Sequence, residues 1–327
     1  MVQGGPAVQV GVIAVSVAGL WVGARLLVDA VVRLAQRFGL SDLTIGLTVV
    51  AMGTSTPELA VSVDAALKGL GDIAVANVLG SNVYNLAFVL GVISLLKVIP
   101  IAESLVKRDG LALLASTLVV GIVVYDLRIT RLEGAILTGS FVAYTVYLLR
   151  ANQSAPAETD QEGEPITAGG VVGAVAERAA FRGRHLALLV GGLALVLVSG
   201  DFMVVAASQL ARDGGISEWV IGGTIVAAGT STPEFAVSLV ALRRGSLGVS
   251  VGNVVGSSVY NVTAILGVAA VVRPLAVSAT AFGTLAWLAA VSVLMVAALW
   301  TGRELSRWEG GLFAGSEVVR WVLGILG

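Results

Sequence analysis

The sequence predicts an all-α polytopic membrane protein, with ten transmembrane helices arranged as two inverted five-helix repeats. Three observations predict it: apolar runs of bilayer-spanning length recur along the whole chain, one motif-bearing segment occurs twice, and each half holds an odd number of helices. Of the 327 residues, 57% are hydrophobic and only 13% charged, and the mean hydropathy is +0.94. A soluble domain carries about 25% charged residues. Apolar runs of roughly 18 or more residues are the mark of transmembrane helices, whereas a transmembrane β-barrel would show short alternating strands.

The expected spans are 7–31, 43–68, 73–96, 105–125, 130–149, 185–211, 218–242, 247–271, 278–300 and 308–326. The first lacks the basic flank of a cleaved signal peptide and runs on too long for one, so it is expected to be a retained helix. Between the fifth and sixth spans lies a polar stretch, 151–183, whose tract Ala155 to Pro165 is too poor in apolar residues to fold. Its acidic cluster reads first as a solvated linker, with weak calcium binding as the alternative. The chain therefore divides into a first half (1–150), a linker (151–183) and a second half (184–327). Without cysteine there is no disulfide framework or thiolate metal site, and a net charge of −1 with no basic cluster gives a nucleic acid nothing to bind.

The repeat is the main organisational fact. A shift of 176 aligns residues 45–92 with 221–268 without a gap, and 27 of the 48 positions are identical. Weaker matches precede it, such as Gly39 with Gly215 and Ser41 with Ser217. Five helices per half would place the two copies in opposite orientations. With the N-terminus outside, the cytoplasmic loops collect 13 basic residues and the outer loops 6. The positive-inside rule then puts both termini outside and the linker in the cytoplasm of a cell whose plasma membrane the chain crosses. Inverted repeats are a construction of secondary transporters, which bind substrate where the repeats meet near the midplane.

Each copy carries an acid and a proline inside an apolar span. The first reads Ala51-Met52-Gly53-Thr54-Ser55-Thr56-Pro57-Glu58 and the second Ala227-Ala228-Gly229-Thr230-Ser231-Thr232-Pro233-Glu234. A charge at membrane depth costs a few kcal/mol or more, so an intramembrane glutamate points to function. Thr54, Ser55 and Ser62 share a helix face with Glu58 by their spacing of three or four. Pro57 has no N–H for the Gly53 carbonyl, so the helix is expected to kink and to free the carbonyls of Gly53 and Thr54 for a ligand. The next helix adds a polar stripe, Asn77, Ser81 and Asn85, repeated as Asn253, Ser257 and Asn261. Two carboxylates among hydroxyl, amide and carbonyl oxygens, with no sulfur or imidazole, suit a hard cation such as calcium, sodium or magnesium. Single serines and threonines in such stripes also serve helix packing.

Gly53-Thr54-Ser55-Thr56-Pro57-Glu58 with Gly80-Ser81-Asn82-Val83-Tyr84-Asn85, and the second-half counterparts ending in Glu234 and Asn261, resemble the two α-repeats of the sodium/calcium exchanger family, within the calcium/cation antiporter superfamily. The resemblance covers about 50 residues in each half and is specific as a pair. It implies a prokaryotic-type antiporter that exports calcium in exchange for sodium by alternating access. Glu58 and Glu234 would be the carboxylates shared by both ions, with the Thr54 and Thr230 carbonyls beside them. Ser55, Ser81, Asn85, Ser231, Ser257 and Asn261 would complete the sodium sites, with the Ala51 and Ala227 carbonyls as further ligands. Some family members carry aspartate at the position of Asn261, in one branch with potassium dependence, so Asn261 argues against potassium co-transport. Two carboxylates balance one calcium or two sodium ions. The resemblance implies no prosthetic group, no nucleic-acid or protein partner, and no enzyme activity; the short linker has no room for the regulatory calcium-binding region of eukaryotic relatives.

Other readings stay open on the residues alone. Two glutamates could exchange calcium for protons, although the proton/calcium branch carries a different acidic signature. Acidic rings also occur in cation channels, whereas no His/Cys/Asp constellation supports an intramembrane enzyme. In the first span Arg25 is expected to pair with Asp29, four residues on, or with Asp201 across the halves. Asp64 is placed at an entrance or among headgroups, and His185 at the interface.

Overall fold

A computed structural model describes residues 5–38, 40–100, 105–154, 183–214, 227–302 and 304–326. The polar linker tract, whether spacer or calcium site, and the beginning of the seventh expected span lie outside them. In the first half, α1 is Pro6–Phe38, α2 Asp42–Thr54, α3 Thr56–Lys68 and α4 Gly71–Leu96. Helix α5 covers residues 105–124 and α6 is Arg131–Ser154. In the second half, α7 is Gly183–Asp213, α8 Ala227–Thr230, α9 Thr232–Arg243 and α10 Leu247–Val272. The chain closes with α11, Ala281–Gly302, and α12, Arg307–Leu326.

Six helical stretches among the described residues are long and apolar enough to cross a membrane, lying in α1, α4, α6, α7, α10 and α11. The other four expected spans depart from a simple apolar helix for identifiable reasons. The second is broken at Ser55 and the seventh at Ser231, where ψ swings to 16° and 6°. The fourth opens with a π-helical turn, Leu105–Gly110, carrying Lys107, Arg108 and Asp109. The tenth contains Glu317 and Arg320. The acids are tolerated because they are paired. Asp109 is fully buried, 2.8 Å from Arg108 Nε, and accepts the Tyr144 hydroxyl at 2.9 Å. Glu317 accepts from Arg320 Nε and Trp321 Nε1, both at 2.7 Å. Arg108, counted from sequence as a loop cation, is thus mostly buried against Asp109.

Helices α4 and α10 form the centre: 83% and 89% of their apolar windows are buried, against 22–33% for the four other apolar stretches. Large apolar side chains such as Val15, Leu118 and Leu132 stand outward, the arrangement expected where acyl chains are the solvent. The outer pair, α1 and α7, are equivalents under the repeat and pack antiparallel. Gly19 faces Ser199, Gly23 faces Val196 and Gly192, and Gly192 faces Leu27. Helices α2 and α10 run parallel, with Gly248 on Leu43, Gly252 on Leu43 and Leu47, and Gly256 on Leu47.

The structural correspondence reaches beyond the 48 aligned positions. Gly91 of α4 meets Gly310 and Ala314 of α12, and its equivalent Gly267 meets Gly134 and Thr138 of α6. Capping boxes start α6 and α12: Thr130 exchanges hydrogen bonds with Glu133, and Ser306 with Glu309, 176 residues later. Gly69 and Gly245 end α3 and the α9 segment with φ of 78° and 81°, which a residue with Cβ adopts at a cost. Four two-residue strands pair across the halves, β1 (Ile99–Pro100) with β4 (Glu304–Leu305) and β2 (Arg128–Ile129) with β3 (Leu275–Ala276).

The expected charge pairs of the first span are not formed. Asp29 binds Arg244 at 2.5 Å, and Arg25 is exposed, with no ion pair to Asp29 or Asp201 among the described residues. The turn after α9 brings Arg244 to α1, a tertiary contact that outcompetes the local i,i+4 pair. Asp64 pairs with Lys68 at 2.6 Å on the exposed face of α3. The His185 side chain lies outside the described residues.

Close packing at the parallel α2–α10 contact yields a test. A Cβ on Gly256 would lie 2.6 Å from the Leu47 Cα and carbonyl oxygen, whereas one on Gly139 meets nothing within 4 Å. Gly256→Ala should destabilise the detergent-solubilised protein by about 1–3 kcal/mol, as overpacking against backbone does. Gly139→Ala should leave the thermal melting temperature unchanged or slightly raised. Equal melting for the two variants would contradict the packing.

Candidate cation-binding site

The two glutamates come together because each helix that carries one is broken just before it. Pro57 and Pro233 sit at the first turns of α3 and α9, where a missing N–H costs little. The breaks at Ser55 and Ser231 turn these serines toward the opposite repeat. Ser55 Oγ donates to Glu234 Oε1 at 2.7 Å, and Ser231 Oγ donates to Glu58 Oε1 at 2.9 Å. Ser81 and Ser257, one helix on, lie at 3.5 Å from the same oxygens of Glu58 and Glu234 respectively. All six residues are fully buried. The second oxygen of each carboxylate, Glu58 Oε2 and Glu234 Oε2, has no hydrogen-bond partner among the described residues.

The stripe on α4 and α10 divides by role. Asn77 Nδ2 donates to the Glu58 carbonyl at 3.1 Å and to Ser62 Oγ at 3.0 Å, and Asn253 Nδ2 does the same for Glu234 and Ser238 at 3.2 and 3.0 Å. Their oxygens face the other repeat, with Thr54 Oγ1 3.1 Å from Asn253 Oδ1 and Thr230 Oγ1 3.5 Å from Asn77 Oδ1. These asparagines fix the backbone of the acid-bearing helices and bond the halves together. Asn85 and Asn261 behave differently. Both are fully buried within π-helical turns, Tyr84–Val89 and Asn261–Ile265. Among the described residues, neither the oxygen nor the nitrogen of the Asn85 side chain has a partner, and Asn261 Oδ1 has none either. A π turn shifts side-chain register relative to an α-helix and recurs at functional sites.

One expectation from the kink is corrected. The Gly53 carbonyl is not free, because Thr56 Oγ1 donates to it at 2.7 Å and replaces the N–H that Pro57 lacks. Thr232 Oγ1 likewise caps the Ala228 carbonyl at 3.0 Å. The Ala51 carbonyl accepts from Ser55 N at 3.1 Å and lies 3.5 Å from Ser257 Oγ, and the Ala227 carbonyl accepts from Ser231 N and Thr230 Oγ1. Both alanine carbonyls are therefore already engaged. The polar stripe gave no role to Asn82, whose side chain binds Asn261 and the Ser258 carbonyl. Its signal lies in the repeat: Asn82 against Ser258 is the position at which the two Gly-Ser-x-Val-Tyr-Asn copies differ.

The chemical capacity follows from these atoms. Two carboxylates, each with one oxygen unclaimed, two amide side chains with open oxygens, and serine hydroxyls that can turn to accept form an all-oxygen surround. Among the described residues, no lysine or arginine is hydrogen-bonded to either carboxylate. Such a set suits hard cations, and its unpaired acids separate it from the arginine-paired clusters at Asp109 and Glu317.

Comparison with known proteins gives the family. The family model described as sodium/calcium exchanger protein matches residues 8–150 and 184–316, leaving out the linker between the halves. The putative antiporter CaxA of Alkalimonas amylolytica is 36% identical over 287 residues, covering 85% of this chain and 86% of that protein. The sodium/calcium exchanger MaX1 of Methanosarcina acetivorans is 28% identical over 315 residues, covering 88% and 90%. A solved structure of the sodium-calcium exchanger NCX_Mj, soaked with Na+ and Sr2+, superposes with a TM-score of 0.79 at 29% identity, covering 96% of this chain and 98% of that one. With most of both halves matched by one family model, the chain belongs to the sodium/calcium exchanger family.

Proposed function

We propose that this protein is an antiporter that moves calcium out of the cell in exchange for sodium. Glu58 and Glu234 carry either cation in turn, assisted by Ser55, Ser81, Asn85, Ser231, Ser257, Asn261 and the carbonyls of Thr54 and Thr230. The Ala51 and Ala227 carbonyls are weaker candidates, since each already accepts hydrogen bonds. The observation that supports this most is the reciprocal holding of two buried carboxylates by serines of opposite repeats, with one oxygen of each left open. Two negative charges are balanced by one calcium or by two sodium ions, so the two loads compete for one site, which is the condition for exchange without leak.

The same reading takes the chain as ten spans in two inverted repeats. Supporting it are the antiparallel course of the equivalent helices α1 and α7, the parallel course of α2 and α10, and the reciprocal Gly91–Gly310 and Gly134–Gly267 contacts. Two repeats related in this way can exchange conformations, which opens the site alternately to each side. With Arg108 and Arg320 left out, since both are paired with acids inside helices, the remaining 12-to-5 division of basic residues still favours termini outside and the linker in the cytoplasm.

Two measurements test this reading. In proteoliposomes loaded with sodium, radiolabelled calcium should accumulate when an outward sodium gradient is imposed and not when only a pH gradient is imposed. Accumulation driven by the pH gradient alone would assign proton exchange, and equilibration without any counter-cation would assign a channel. Separately, calcium at about 100 times its dissociation constant should stabilise the solubilised protein by roughly 2.7 kcal/mol. Glu58→Gln and Glu234→Gln, which keep shape and remove charge, should fold, lose that stabilisation and lose exchange. Unchanged calcium stabilisation in both would remove the carboxylates from the site.

A further inference from the structure

Helices α4 and α10 cross at a place where the repeat is imperfect. Asn82 of α4 corresponds to Ser258 of α10, and both are fully buried. Asn82 Nδ2 donates to the Ser258 backbone carbonyl at 2.8 Å. A backbone carbonyl can only accept, so the amide of Asn82 has one possible orientation: nitrogen toward Ser258, oxygen away from it. That oxygen lies 3.1 Å from Asn261 Nδ2. Asn261 must then present its nitrogen to Asn82, and its own Oδ1, buried and unpartnered, points elsewhere. The hydrogen bonds thus dictate amide orientation from Ser258 through Asn82 to Asn261.

Nothing equivalent holds Asn85, the repeat counterpart of Asn261. Ser258 stands where a second Asn82 would be, and its hydroxyl donates to Val254 O of its own helix at 2.9 Å. Both polar atoms of the Asn85 side chain are without partners among the described residues. The two amides of the pseudo-symmetric site are thus unequal: one is clamped and one can turn.

We propose that Asn82 is a positioning residue that locks Asn261 as a permanent oxygen ligand for the transported cation, while Asn85 turns to offer its oxygen only when a cation is present. The proposal rests on the assignment of the two glutamates to a cation site. It accounts for how an amide at position 261 serves a site that needs oxygens: unlocked, an amide presents a hydrogen-bearing nitrogen, which repels a cation, about as readily as its oxygen. Calcium requires six to eight oxygen ligands, so an oxygen held in place by a bond already made costs no reorientation when the ion arrives.

The test is a set of variants read by the calcium concentration that gives half-maximal sodium-driven uptake, alongside maximal rate and calcium-free melting temperature. Asn82→Ser copies the second repeat and removes the clamp. Loss of one orienting hydrogen bond of about 1 kcal/mol corresponds to a roughly fivefold change. The half-maximal concentration should therefore rise about fivefold, with the maximal rate within about twofold of wild type. The exchange Asn82→Ser with Ser258→Asn moves the clamp to Asn85 and should bring the half-maximal concentration back to within about twofold. In an Asn261→Ala background, Asn82→Ser should add nothing further. A half-maximal concentration unchanged by Asn82→Ser overturns the proposal, as does a shift that persists undiminished in Asn261→Ala. If Asn261→Ala alone leaves the half-maximal concentration unchanged while Glu58→Gln abolishes uptake, Asn261 is not a ligand and the clamp falls while the carboxylate reading stands.

Discussion

Two carboxylates fully buried inside a membrane protein, with no basic residue hydrogen-bonded to them among the described residues, are the constraint on which the rest of the structure depends. An isolated acid there is expensive, and each half of this protein supplies only part of what its own acid needs. Glu58 receives the hydroxyl of Ser231, and Glu234 that of Ser55. Asn77 and Asn253 hold the backbone beneath each acid and reach across to Thr230 and Thr54. Neither repeat can complete its half of the site alone. Mutual dependence of this kind ties the halves together alongside apolar packing, and it leaves one oxygen on each acid open.

Much of the irregular backbone lies beside the two carboxylates. The breaks at Ser55 and Ser231 and the π turns at Tyr84–Val89 and Asn261–Ile265 flank the carboxylates. Freed backbone groups at membrane depth need partners within the protein, and Thr56 and Thr232 supply hydroxyls to the carbonyls next to the breaks. Glycines then let neighbouring helices approach close enough to shield these segments from lipid, as at Gly46, Gly252 and Gly256. Elsewhere in the membrane the chain treats acids differently. Asp109 and Glu317 are each tied to a nearby arginine and to an aromatic donor, and so are closed to a cation.

Much of the site is legible in the chain itself, for specific reasons. Glu58 and Glu234 stand out because an acid and a proline inside an apolar run are costly, and the chain keeps the combination twice at one spacing. Their partners Ser55 and Ser231 belong to the same motif. Asn77 and Asn253 are visible as part of a polar stripe, but helix periodicity cannot separate a side chain that braces backbone from one that faces an ion. The expected local pairing of Arg25 with Asp29 fails because spacing along one helix sees only neighbours on that helix; Asp29 finds Arg244 across the fold. Arg108 reads as a loop cation because an adjacent Asp109 says nothing of burial, which Tyr144 of another helix helps to create.

By itself, the sequence determined the membrane class, the repeat, the acid pair and the oxygen-rich side chains of the candidate site, because these depend on composition and on spacing along one helix. Only the tertiary structure decided that each glutamate is held by the other repeat, that the Gly53 carbonyl is capped, and that Asn82 sets the orientation of Asn261. The contacts between repeats depend on which helices cross and where. Glu58 and Ser231 are 173 residues apart, and no local preference of the chain encodes a hydrogen bond over that separation.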